Sequence, residues 1–212
     1  MWGRCLACFY HIWSALEHAL EDHKDAPVLK SLVDIREQVS RRLQFEKDLK
    51  YFFGETEWKA AVKNELTGAS PSSVQVREYV HHLKHARPLV LVAYFYHLNM
   101  ALLAGGQMIK RLAKRGMNLP KGSGVALFEY GNGTNRRSIR SALRTAINEI
   151  ALTKTDNAHL LAESVAVFER NNRLVASIEV RRGVCTLAWK IIRSKYALAP
   201  LLLGVIATYM WV

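Results

Sequence analysis

Residues 94–120 read YFYHLNMALLAGGQMIKRLAKRGMNLP, a helical pattern with two adjacent glycines inside it. Leu98, Ala101, Leu102 and Gly105 recur at helical spacing, and Met108, Leu112 and Ala113 continue the pattern beyond the pair. Each glycine costs a helix about 1 kcal/mol relative to alanine. A chain that keeps Gly105 and Gly106 there needs a bend, or needs its backbone to approach a neighbour closely. A plain break between two helices has the same signature.

Outward from this stretch the chain reads as helix almost throughout. Apolar residues at Phe9, Ile12, Trp13, Leu16 and Leu20 predict a helix over 2–24, which Pro27 closes. Val33, Ile35, Val39, Leu43, Leu49 and Phe52 predict one continuous helix over 33–53, stopped by Gly54. A short helix over 55–66 follows, and Ser73 is the expected cap of a helix over 74–87. Pro88 interrupts that helix before the glycine-bearing one begins. Residues 117–135, with PKGSG and GNGTN, form the main irregular region. Helices are expected again over 135–152 and over 155–194, the second started by Thr155 and Asp156. With 5 Pro, 12 Gly and few alternating β-branched runs, the 212 residues predict an all-α chain with a single core.

The formal net charge of +12 favours an anionic partner, which a membrane surface, an acidic protein or a carboxylate-bearing ligand would each satisfy. Nucleic acid is not expected, because the basic residues are spread over several helices with little aromatic interleaving and no binding motif. Cys5, Cys8 and Cys185 make no disulfide framework. Cys5-x-x-Cys8 lacks the second pair a zinc site needs, so both read as small apolar residues of a helix face. His81 and His85 share a helix face, but no third ligand accompanies them. No signal peptide is expected, for want of a cleavable apolar segment at the N-terminus.

Residues 196–212, YALAPLLLGVIATYMWV, carry no charge and follow Lys190, Arg193 and Lys195. As a helix they would span about 25 Å, slightly less than a ~30 Å hydrocarbon core. Tyr196, Tyr209 and Trp211 fall where interfacial aromatics belong. The expected organisation is a helical domain over 1–183, a basic juxtamembrane segment over 184–195 and a membrane anchor over 196–212. The anchor would hold a cytosol-facing domain on the endoplasmic reticulum, or alternatively on the mitochondrial outer membrane.

The glycine-bearing stretch resembles the distal helix of the heme oxygenase family, in which a Tyr precedes Gly-Asp-Leu-Ser-Gly-Gly-Gln and a basic run ends in Leu-Pro. Tyr96, Leu103, Gly105, Gly106, Gln107, Leu119 and Pro120 fit that spacing. Ala101 stands for the first Gly, Leu102 for the Asp and Ala104 for the Ser. The resemblance extends over residues 5–180. CLACFYHIWSALEHALEDHKDAPV looks like the family's second helix, and RRLQFEKDLKYFFGETEW like its Leu-x-x-Asp-Leu-x-x-Phe-Tyr-Gly run. GSGVALFEYGN resembles a Gly-x-Gly-x-x-x-Phe-x-Phe segment, TNRRSIRSALRTAIN the basic proximal-side helix, and AVFERN a Phe-x-x-Asn on the last core helix.

The resemblance implies a single-domain helical bundle with a kinked distal helix, heme as cofactor, and release of biliverdin, CO and iron with O2 and electrons from a reductase. That chemistry needs an imidazole on the iron, close distal backbone, a carboxylate that organises protons, and basic residues on the propionates. The resemblance assigns heme contact to Tyr96, Gly105, Gly106, Arg140, Arg144, Phe168 and Asn171. Arg140 and Arg144 lie one turn apart, which is also the pattern of a solvated basic face beside Arg136 and Arg137. The ligand histidine of the family lies on a first helix upstream of the CLACFYHIWSALE stretch, and His11, His18 and His23 do not match it. That helix is expected to be absent from this chain, and Leu102 removes the distal acid. The expectation is weakened binding of heme or a related tetrapyrrole without ordinary turnover. The alternatives are an active divergent oxygenase whose longer form carries the histidine, and a membrane-anchored interaction scaffold.

Overall fold

The computed structural model describes residues 1–131 and 135–178. The expected segments 184–195 and 196–212, Cys185, part of GNGTN and the end of the helix expected over 155–194 lie outside them. The described residues form nine α-helices and no strand. In order they are α1 (Trp2–Asp22), α2 (Val33–Val39), α3 (Arg42–Phe53), α4 (Trp58–Thr67), α5 (Pro71–Lys84), α6 (Pro88–Ala104), α7 (Gly106–Met117), α8 (Arg136–Asn148) and α9 (Lys154–Ser177). Short 3₁₀ turns at Pro27–Leu32 and Ala126–Phe128 join them.

Two helices organise the core. In α6, buried residues face every direction, from Leu91 through Leu103, as expected of a helix hydrophobic all round. It packs against α8, α9 and α1. Helix α1 buries Leu6, Ile12, Leu16 and Leu20 and packs against α3, α4 and α5. Cys5 and Cys8 are part of this core as free thiols, and burial pushes the Cys5 thiol up to about 12, which leaves it inert. An ion pair locks α1 to α4: Arg4 Nε donates to Glu65 Oε1 at 2.6 Å, while Ser72 Oγ donates to Oε2 at 3.0 Å.

Three sequence expectations need correction. The helix expected over 33–53 is two helices, because Ser40 is extended (φ −57°, ψ 135°). Arg41, 3 % exposed, supplies the reason. Its guanidinium donates to the carbonyls of Gln38 (2.8 Å), Val39 (3.0 Å) and Glu129 (2.7 Å), so it closes the C-terminus of α2. Ser73 does not cap α5. The cap is Ser70, whose Oγ accepts from Ser73 N at 3.2 Å, with Pro71 in the first turn. Likewise α9 is capped by Thr153, which exchanges hydrogen bonds with Asp156 in a capping box. Thr155 and Asp156 are already inside the helix.

Candidate functional site

The glycine pair makes the bend its composition predicts: α6 and α7 meet at 56° across Gly105. Gly105 itself has φ −92° and ψ −21°, which any residue adopts. The tighter demand is at Gly106. A Cβ there would stand 2.9 Å from Phe128 Cδ1, so the backbone of α7 rests against that ring. Gln107 Nε2 donates to the Phe128 carbonyl at 3.1 Å and holds the same contact from the next residue. The turn carrying Phe128 is fixed in its place by Asp48, 1 % exposed. Asp48 Oδ1 accepts from Ala126 N at 2.7 Å and Oδ2 from Leu127 N at 2.8 Å. Gly124 (φ +67°) brings the preceding loop across the Phe52 ring.

Two cavities flank the bend. The first is an apolar cleft of about 170 Å³ between α1, α6, α7 and α9. Trp2, Phe9, Leu98, Leu102, Phe128 and Phe168 form much of its wall, and Asn171 and Asn172 are its polar side chains. Trp2 and Phe128 stack in it with ring centroids 6.2 Å apart. The second is an open polar cavity of about 620 Å³ bounded by α7, α8 and the turn before α8. Leu103, Ala104, Gln107, Arg136, Arg137 and Arg140 line it. Its acid, Glu129, is paired with Lys110, which leaves the cavity cationic.

These cavities separate the residues assigned from sequence into two groups. Leu102, Phe168 and Asn171 meet in the apolar cleft, with Ala101 beside Leu102. Arg140 lies in the polar cavity. Tyr96, buried, is two helical turns before Leu103 and therefore on the polar-cavity side of α6. Arg144 is half-buried one turn beyond Arg140 on α8. Gly105 and Gly106 sit at the junction, and Gly106 is committed to Phe128.

Several participants escaped the sequence reading. Trp2, Cys5 and Phe9 carry only a helical repeat, and their place on the cleft wall comes from how α1 docks. Asn171 is oriented from α5, where Tyr79 OH donates to its Oδ1 at 3.2 Å. Behind it, a polar cluster ties α5, α6 and α9 together. Glu163 Oε1 accepts from Tyr94 OH at 2.7 Å and lies 2.9 Å from His82 Nε2. Arg170 donates to Tyr94 OH at 3.0 Å and lies 3.2 Å from His82 Nδ1. Burial, then the Arg170 charge, holds the His82 imidazole below its usual range. His82 is therefore neutral, donating through Nε2 and accepting at Nδ1.

Other histidines have structural explanations. His11 Nε2 pairs with the Val62 carbonyl at 2.8 Å, inside the bundle and not on a solvent face. His81 and His85 stack at 4.2 Å, and His85 Nδ1 bonds the His81 carbonyl. Among the described residues no three metal-ligating side chains converge.

The heme implied by the sequence resemblance can be tested against these walls. The apolar cleft alone is smaller than the ~300–1,000 Å³ of typical ligand pockets. The arginine-lined cavity at the same bend adds cations, and the two linings taken together suit a ligand with a broad apolar face and carboxylates at one edge. The chemistry of the residues thus fits the group.

Comparison with known proteins gives one answer. The sequence profile of the family described as heme oxygenase matches residues 1–177. Heme oxygenase 1 of Nostoc sp. is 27% identical over 177 residues, covering 83% of this chain and 71% of that protein. The fold is similar to that of heme oxygenase 2 from Chlamydomonas reinhardtii, solved without heme. That match has TM-score 0.75 and 28% identity, and covers 85% of this chain and 83% of the other. The heme oxygenase of Leptospira interrogans aligns with TM-score 0.71 and 27% identity, over 81% of this chain and 80% of that one.

Proposed function

Because the chain belongs to the heme oxygenase family, we propose that it holds heme or a related tetrapyrrole at the α6–α7 bend without carrying it through ring opening. When bound, heme would supply the iron and its redox chemistry. This chain's own residues do the rest. Leu98, Ala101, Leu102, Phe168 and Val175 offer apolar contact to the ring. Arg140 and Arg144, one turn apart on α8, attract its carboxylates. Tyr79 keeps the Asn171 amide fixed at the wall.

The observation that carries this reading is at Leu102. Its side chain is 8 % exposed and lines a cleft whose walls, among the described residues, contain no carboxylate. Proton delivery to a reacting centre requires a titratable side chain, or water ordered by one, within hydrogen-bond reach. An isobutyl group provides neither. Titration of the full-length chain with hemin tests the binding half of the proposal: a saturable Soret shift is expected, weakened roughly tenfold by Arg140→Ala with Arg144→Ala. Absence of a saturable shift overturns it.

An active, divergent oxygenase fed by a reductase is the competing reading, favoured by the match to the Nostoc oxygenase over most of this chain. It requires bile pigment to form. We further propose that residues 196–212 attach the protein to a membrane of the endoplasmic reticulum, or of the mitochondrial surface. The support is their lack of charge and the basic residues before them. Alkaline extraction should leave the full chain with membranes and release a chain truncated after residue 183.

A further inference from the structure

We infer that a third cavity, between α1, α2, α3 and α6, is a binding site for a flat organic ammonium ion whose apolar body carries an N–H donor. This site is separate from the two cavities at the α6–α7 bend and does not depend on the heme-binding reading above.

Its shape comes first. The cavity holds about 520 Å³, within the ~300–1,000 Å³ of typical ligand sites. Trp13 is a wall it shares with the apolar cleft, and it shares none with the arginine-lined cavity. Trp13, Leu16, Leu20, Val39 and Phe95, all buried, give it apolar sides. Ser40, whose extended backbone separates α2 from α3, also lines it. Val33, 48 % exposed, and Leu43, 64 % exposed, stand at its mouth.

The floor asks for a donor. Asn99 lines the cavity and is 2 % exposed. Its Nδ2 donates to the Phe95 carbonyl, one turn back on α6, at 2.8 Å. That turns the amide oxygen the other way, and Oδ1 is shut off from solvent with no donor among the described residues. Buried acceptors in native structures are nearly always paired, because an unpaired one has lost its water and gained nothing. An N–H carried in on an apolar body supplies the missing partner.

The rim asks for a cation. Glu21, one of the lining acids, is paired with Arg36 at 2.8 Å, and the other lining arginine, Arg42, faces Glu46 at 3.9 Å. His18 is tied by Nδ1 to the Ser14 carbonyl at 2.7 Å. Glu17 accepts from the Ser40 hydroxyl and the Arg41 backbone N–H, each at 3.0 Å, and Glu37 is exposed. Among the described residues neither Glu17 nor Glu37 makes an ion pair. Two carboxylates without a paired cation thus edge an apolar cavity, on a chain whose net charge is +12. The ligand lies with its flat body between Trp13 and Phe95, its N–H at Asn99, and its ammonium outward at Glu17 and Glu37.

The test titrates the full-length chain with tryptamine, which has an indole N–H and a primary ammonium, and reads binding by calorimetry. Two analogues separate the contacts: tryptamine methylated on the indole nitrogen lacks the donor, and indolepropionate reverses the charge. Saturable binding of tryptamine is expected, weakened at least about tenfold by the ring methyl and by Asn99→Leu, and lost with indolepropionate. Asn99→Leu fills the same volume without the unpaired acceptor, so its Tm should not fall below that of the wild type. Glu37→Lys changes an exposed side chain at the rim and should weaken tryptamine by a similar factor. The comparison of the two amines on the wild type needs no variant to fold. No saturable binding of tryptamine overturns the site. Equal affinity for the methylated amine, or for indolepropionate, overturns the assignment of the ligand class.

Discussion

Replacement of Gly106 by alanine tests why the glycine pair exists. Two effects oppose each other. Alanine gains up to about 1 kcal/mol over glycine inside a helix, and less at the first position of α7, where Gly106 stands. Against this, the new Cβ would be 2.9 Å from Phe128 Cδ1, closer than van der Waals contact permits. Phe128 cannot swing away cheaply: it is 1 % exposed, stacked on Trp2, and its turn is clamped by Asp48. Overpacking of this kind costs about 1–3 kcal/mol. The net expectation is a loss of about 1–2 kcal/mol, or roughly 2–8 °C in Tm for a chain of this size. Thermal and urea unfolding of Gly106→Ala measure it directly. The double variant with Phe128→Leu should recover part of the loss as a favourable coupling of about 1 kcal/mol. An alanine variant as stable as wild type would refute the argument, and the glycine would then have to serve something other than Phe128.

Further outcomes follow from the same contacts. Asp48→Asn places an NH2 group against one of two buried backbone N–H donors and should cost about 1–3 kcal/mol in urea unfolding. His82 is held below its ordinary pKa by burial and by Arg170, so the folded state favours the neutral form. Its contribution is complete above the unfolded value near 6.5 and is lost as pH falls through that value toward the folded one. Tm should therefore drop between pH 7 and pH 5. His82→Gln, which cannot ionise, should flatten part of that drop; His11 and His97, also held low by burial, keep the remainder. An unchanged slope in His82→Gln would remove the cluster from the account.

Much of this architecture is visible in the local pattern of residues. The apolar spacing of α1 and the uninterrupted apolar run of α6 announce buried helices, and the adjacent glycines announce a bend. What could not be read depends on residues distant in sequence. The break between α2 and α3 exists because Arg41 finds the Glu129 carbonyl and Glu17, 88 and 24 residues away. Caps were misplaced by two or three residues because Ser70, Ser72 and Ser73 are equivalent in pattern, and only geometry selects Ser70. At the site, the resemblance grouped Tyr96 with Phe168 and Asn171, whereas the helix turns Tyr96 toward the polar cavity and the other two line the apolar cleft.

The function proposed for this chain is a binding surface that persists with Leu102 at the position where the family resemblance places the proton-organising acid. Turnover of the hemin-loaded full-length chain, with reductant and O2, measures this most directly through the bile-pigment absorption band and the CO released. The account predicts saturable hemin binding with neither biliverdin nor stoichiometric CO. Stoichiometric formation of both would contradict it.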